Sequence, residues 1–138
     1  MQDLNQLQAY LRQFAKDRDW DQFHSPKNLT MALSVEVSEL LENFQWLTEE
    51  QSYTLDQQQR AAVADEIADV QMYLARLADK LDINIGEAIE QKINKNEAKY
   101  PAELVKGSSK KYTEYVKEEQ QEEQQESQKD ETPAGKKG

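Results

Sequence analysis

The stretch "MALSVEVSELLENFQW", residues 31–46, carries apolar residues at helical spacing with two acids set among them. Placed on a helix at about 100° per residue, Ser34, Ser38, Glu42 and Gln45 gather on one side, which is the solvent face. Leu29, Leu33, Val37, Leu40, Leu41, Phe44 and Leu47 take one flank, and Ala32, Val35 and Trp46 take the other. Glu36, Glu39 and Asn43 fall between the flanks and are expected to point inward.

A second stretch, "AVADEIADVQMYLARLADKL", residues 62–81, repeats the pattern. Val63, Ile67, Val70, Leu74, Leu77 and Leu81 make an apolar face; Glu66 lies inside its arc beside Tyr73, and Asp69 lies at the edge, near Arg76. Each helix thus carries an acid pair at i, i+3, which places both carboxylates on one side. Antiparallel packing would bring all four acids together.

Around these two segments the chain reads as all-α. A helix over 3–17 has Leu4, Leu7, Leu11 and Phe14 as its stripe. The acid-bearing second helix starts at Ser25-Pro26, with Ser as cap and Pro in the first turn, and runs to residue 47. The polar link TEEQSYTLDQ leads to a third helix over 57–81. Asn84 and Glu87 form a capping box for a fourth, which Tyr100-Pro101 ends. The expected fold is a four-helix bundle over 1–116. Its core is thin and its apolar arcs are wide, so completion by a second copy is expected. From 117 to 138, KEEQQEEQQESQKDETPAGKKG holds no apolar residue larger than Ala except Pro133, and a disordered acidic tail, helical in its Glu/Gln part, is expected.

Composition narrows the function. A net charge of −10 and a pI near 4.6 argue against a nucleic-acid binder, which needs a basic face. No cysteine is present for a disulfide, a zinc-thiolate site or a thiol nucleophile. No apolar run approaches a membrane span, and MQDLNQLQAY lacks the basic region and apolar core of a signal peptide, so a cytoplasmic setting is expected.

An E-x-x-E pair in an acidic protein is ordinarily a solvated face. Two pairs on the apolar sides of two helices are different, because four unpaired carboxylates in a bundle repel and lose hydration. A divalent cation is the natural partner, and an all-oxygen set selects Mg2+, Mn2+ or Ca2+ over zinc. A di-iron bundle needs Glu-x-x-His pairs, and the single histidine, His24, lies outside both motifs. By itself His24 reads as a loop or capping residue, and Trp20, Trp46 and Tyr73 as core aromatics.

E-x-x-E, 26 residues, then E-x-x-D, set as "EVSELLENFQW" and "DEIADVQMYL", resembles the MazG-like all-α nucleoside triphosphate pyrophosphohydrolases. The flanking "RDWDQFHSPKNL", "KINKNEAKYP" and "GSSKKYTEY" are similar to the dCTP pyrophosphatase branch, and the resemblance covers residues 4–115. It implies that Glu36, Glu39, Glu66 and Asp69 are catalytic metal ligands, for Mg2+ with Mn2+ as a substitute. Trp20 and Trp46 match base-pocket positions accompanied by His24, while Tyr73 and Asn96 match positions facing the nucleotide. Lys27, Lys92, Lys99 and Lys110 are phosphate neighbours by charge. The implied reaction is hydrolysis of dCTP or a modified dCTP between the α and β phosphates, giving the monophosphate and pyrophosphate. The implied assembly is a dimer or tetramer with sites near the interface.

The sequence also departs from that branch, with Leu11 in place of a histidine, Asn94 in place of an acid and Glu97 in place of a basic residue. Base preference and some phosphate contacts therefore stay open between dCTP, a dUTPase-like activity and a broad triphosphate pyrophosphatase. A non-enzymatic helical interaction module is the alternative from another class.

Overall fold

The computed structural model describes residues 3–130, of which 118, 119 and 130 are described by backbone alone. Among the described residues there are seven α-helices and no strand. They are α1 (Leu4–Asp17), α2 (Pro26–Glu42), α3 (Glu49–Ser52), α4 (Gln57–Lys80), α5 (Ile85–Lys99), α6 (Ala102–Val105) and α7 (Tyr112–Asp130), with a 3-10 turn at Asp21–Phe23. The chain divides into two compact units, Met1–Ile89 and Glu90–Gly138. No described helix is long and apolar enough to cross a membrane.

In the first unit α4 is the central element, packed against α2 and α1. Local chemistry starts each helix where expected. Asp3 accepts from the backbone N–H of Gln6 at 2.7 Å, and Ser25 Oγ accepts from that of Asn28 at 3.1 Å ahead of Pro26. Asp56 and Gln59 make a reciprocal capping box on α4. Leu29, 1% exposed, is the largest fully buried side chain, joined in the core by Ala15, Val63, Ala75 and Ala78.

Two boundaries differ from expectation. The second helix ends at Glu42 and not at 47, because Asn43 turns its amide back onto the Glu39 carbonyl at 3.0 Å and the chain tightens through Phe44 and Gln45. The link after it contains α3, started by a Thr48–Gln51 capping box.

α1 and α4 end alike. Asp19 and Asp82 both sit at positive φ, 55° and 54°. The next N–H groups, of Trp20 and Ile83, return to the carbonyls of Ala15 and Ala78 at 2.9 Å. This is the left-handed helix stop that glycine usually provides, here made by aspartate. At the end of α1 it folds Trp20 back against its own helix.

In the second unit, Tyr100 and Tyr112 meet edge to face at 6.1 Å, with Lys99 Nζ 5.5 Å from the Tyr112 ring centroid. Helix α7 runs through residue 117, so the described part of the expected tail is helical; residues 131–138 lie outside the described residues.

Candidate functional site

The periodicity that set acids on the inner arcs of α2 and α4 has a structural counterpart. One carboxylate oxygen each from Glu36, Glu39 and Glu66 lie within 4.8 Å of one another. Glu36 and Glu66 are half-buried and Glu39 is exposed. Glu39 and Glu42 act electrostatically on Glu66, while Glu36 acts on Tyr73 further along α4 and feels Asp69. Late positions of α2 therefore meet early positions of α4, as antiparallel packing requires.

The cost of this arrangement is visible in the protonation of the acids. Loss of hydration raises the Glu36 carboxyl above its ordinary value, helped by the charge of Glu39, a hydrogen bond with it, and the charges of Asp69 and Glu66. Glu66 is raised by loss of hydration and then by Glu39 and Asp69. Glu66 Oε2 is closed off from solvent without a hydrogen-bond partner. An occluded carboxylate oxygen, on a residue grouped with two further carboxylates, needs a cation or a proton. The donor set is all oxygen, which fits a hard divalent cation and no softer metal.

Beside the acids is a cavity of about 370 Å³. Tyr10, Leu11, Phe14 and Ala15 of α1 form one wall, and Met72, Tyr73 and Arg76 of α4 form another. Trp20 and His24, from the segment joining α1 to α2, complete it, and Asp69 connects it to the acid cluster. Phe14 meets Trp20 edge to face at 5.9 Å, and the Arg18 guanidinium lies 3.5 Å over the Phe14 ring. The Tyr73 phenol is raised by burial and by the charges of Glu36 and Asp69, so it stays a neutral donor.

The structure thus brings Glu36, Glu39, Glu66, Asp69, Tyr73, Trp20 and His24 into one region of the first unit. Trp46 is not in the cavity wall and is 87% exposed beyond the end of α2. Lys27 is exposed on the first turn of α2. Lys92, Asn96 and Lys110 are exposed residues of the second unit.

Sequence reading missed Arg76, which is only 4% exposed. Its partners are not the neighbouring Asp69 but Asp79 at 2.9 Å, Asp21 at 2.5 Å and His24 at 3.3 Å. Asp79 is held from its other side by Arg12, and Asp21 by Lys80 at 2.6 Å. No local pattern could have found partners 52 and 55 residues away.

The MazG-like family profile matches residues 31–115. The chain is 41% identical over 116 residues to dCTP pyrophosphatase 1 of Homo sapiens and 40% identical to that of Mus musculus. Each match covers 83% of this chain and 66% of the relative, so the chain spans just under two thirds of those proteins' length. Among solved structures, a pyrophosphatase from Archaeoglobus fulgidus aligns with a TM-score of 0.67 at 43% identity, over 70% of this chain and 91% of that one.

Proposed function

The chain belongs to the MazG-like family, and from that premise we propose that it is a nucleoside triphosphate pyrophosphohydrolase. The substrate is dCTP or a modified dCTP, and the products are the monophosphate and pyrophosphate. The observation that carries this reading is the convergence of Glu36, Glu39 and Glu66 beside an aromatic cavity. The names of the relatives, dCTP pyrophosphatase 1 and a pyrophosphatase, support it.

Glu36, Glu39, Glu66 and Asp69 would hold Mg2+, with Mn2+ as a substitute. Bound there, the ion would neutralise the triphosphate, acidify the attacking water and stabilise charge on the pyrophosphate leaving group. The chain's own groups do the rest. Trp20 and the aromatic residues beside it stack on a flat base and exclude water from it. Tyr73 donates from its phenol towards the nucleotide. Glu36 or Glu39, whichever carboxylate is not fully used in ligation, takes the proton from water. Lys27, Lys92, Asn96 and Lys110 are the remaining nucleotide contacts of this proposal.

Trp46, exposed in the single chain, joins the base pocket when a second copy covers it. The apolar side chains of Met31, Val35, Leu41 and Ile67, each more than half exposed, support a homo-oligomer. Residues 1–116 form the catalytic segment, and the protein works in the cytoplasm on the nucleotide pool.

Pyrophosphate release from a panel of deoxynucleoside triphosphates, with and without Mg2+, tests the reading. Mg2+-dependent release that is fastest with dCTP or a 5-substituted dCTP is expected. Fastest release from dUTP, or equal release from all, would favour the dUTPase-like or broad alternative. No release from any would leave a helical interaction module.

A further inference from the structure

Arg76 is a buried cation that the acid cluster does not use. Its guanidinium is fixed from three directions. Nη1 donates to Asp79 at 2.9 Å, Nη2 donates to Asp21 at 2.5 Å, and Nε donates to Nδ1 of His24 at 3.3 Å. Both carboxylates are paired in turn, Asp79 with Arg12 and Asp21 with Lys80.

A guanidinium has donors only and keeps its charge, so the His24 nitrogen facing it must offer a lone pair. A neutral imidazole with a lone pair on Nδ1 carries its proton on Nε2. His24 lines the aromatic cavity, and among the described residues its Nε2 has no protein partner. Leu11, Phe14, Ala15 and Met72 give the cavity its apolar wall, while Tyr10, Trp20, Asp69 and Tyr73 carry its other polar groups beside Arg76.

We propose that Arg76 is a positioning residue that holds His24 with its proton on Nε2, so that the imidazole presents a fixed hydrogen-bond donor to a nucleobase acceptor in the cavity. The acceptor is the carbonyl oxygen or the ring nitrogen lone pair of a pyrimidine such as cytosine. An amino group at that place would meet a second donor and be rejected. Burial, and after it the charges of Arg76 and Lys80, disfavour a protonated ring, against a smaller opposing pull from Asp21. The base contact rests on the nucleotide reading above; the tautomer does not.

The chain has one histidine, so nitrogen NMR of untagged protein labelled in histidine reads His24 alone. At neutral pH the expected spectrum has a protonated Nε2 and an unprotonated Nδ1. A proton on Nδ1, or the averaged signals of a free imidazole, would overturn the proposal. Arg76→Met removes the donor while Arg12 and Lys80 keep Asp79 and Asp21 paired, and the averaged signals are expected to appear. A folded variant that retains the protonated Nε2 would count against Arg76.

Kinetics supply the second arm. His24→Phe keeps a ring without a donor and is expected to raise KM for dCTP about tenfold, the loss of one hydrogen bond, with kcat within about twofold. His24→Gln, whose amide can donate from nearly the same place, is expected to recover most of that loss. Equal KM in wild type and His24→Phe would overturn the donor role. If wild type hydrolyses no triphosphate, the nucleotide reading falls and the base contact with it, while the NMR still decides the tautomer.

Discussion

Glu66 shows why an acid inside an apolar arc is informative. Its Oε2 is occluded and unpartnered, and Glu39 and Asp69 add repulsion where water could have screened it. Glu39→Gln preserves the shape of the cluster but removes a charge that the proposed cation needs. Turnover is expected to fall by about 100-fold or more with the helical circular dichroism unchanged; near-wild-type kcat would refute the assignment. Glu36 and Glu66 hold protons more tightly folded than unfolded, so the native state carries more bound protons in the window above their ordinary value of 4.5. Stability from these two groups is therefore lost as pH rises through that window. In a chelating buffer, wild type is expected to lose melting temperature relative to Glu36→Gln/Glu66→Gln as pH is raised through it, and added Mg2+ is expected to restore it. Parallel curves for the two proteins, or the same Mg2+ rise in both, would mean that the acids are not frustrated and the ion binds elsewhere.

At the scale of elements, α4 organises the first unit by facing α2 with its acids and α1 with its cavity wall. Leu29 anchors the start of α2, and Leu29→Ala is expected to cost about 2–5 kcal/mol in urea unfolding. A loss below about 1 kcal/mol would mean that the contact between α2 and α4 does not rely on it. What was legible in the sequence was local. Ser25-Pro26 and the Asn84 cap are read from residues three or four apart, and helical periodicity alone set Glu36, Glu39 and Glu66 on inner arcs. α3 could have been found, since Thr48 and Gln51 have capping-box spacing, but a segment of four residues has no periodicity to draw attention. The end of α2 was hidden because the apolar pattern continues through Phe44 and Leu47 while the Asn43 amide closes the helix. The Arg76 network and the fold-back of Trp20 were out of reach, being set by distant charges and by an aspartate in a left-handed turn.

For the whole molecule, the proposed second copy would cover the exposed apolar side chains of α2 and α4 and Trp46. Light scattering at micromolar concentration is expected to give at least twice the 16.0 kDa chain mass. A monomer fully active when dilute would refute a site shared between subunits. Deleting residues 117–138, which hold no apolar residue larger than Ala except Pro133, is expected to leave melting and turnover almost unchanged; loss of most activity would move the catalytic boundary beyond 116. The central claim is that converging carboxylates on α2 and α4 make this chain split a triphosphate between its α and β phosphates with a divalent cation. Phosphorus NMR of dCTP turnover tests it most directly. Equimolar dCMP and pyrophosphate are predicted, abolished by a chelator and restored by Mg2+. The appearance of dCDP with inorganic phosphate, or turnover indifferent to the chelator, would contradict it.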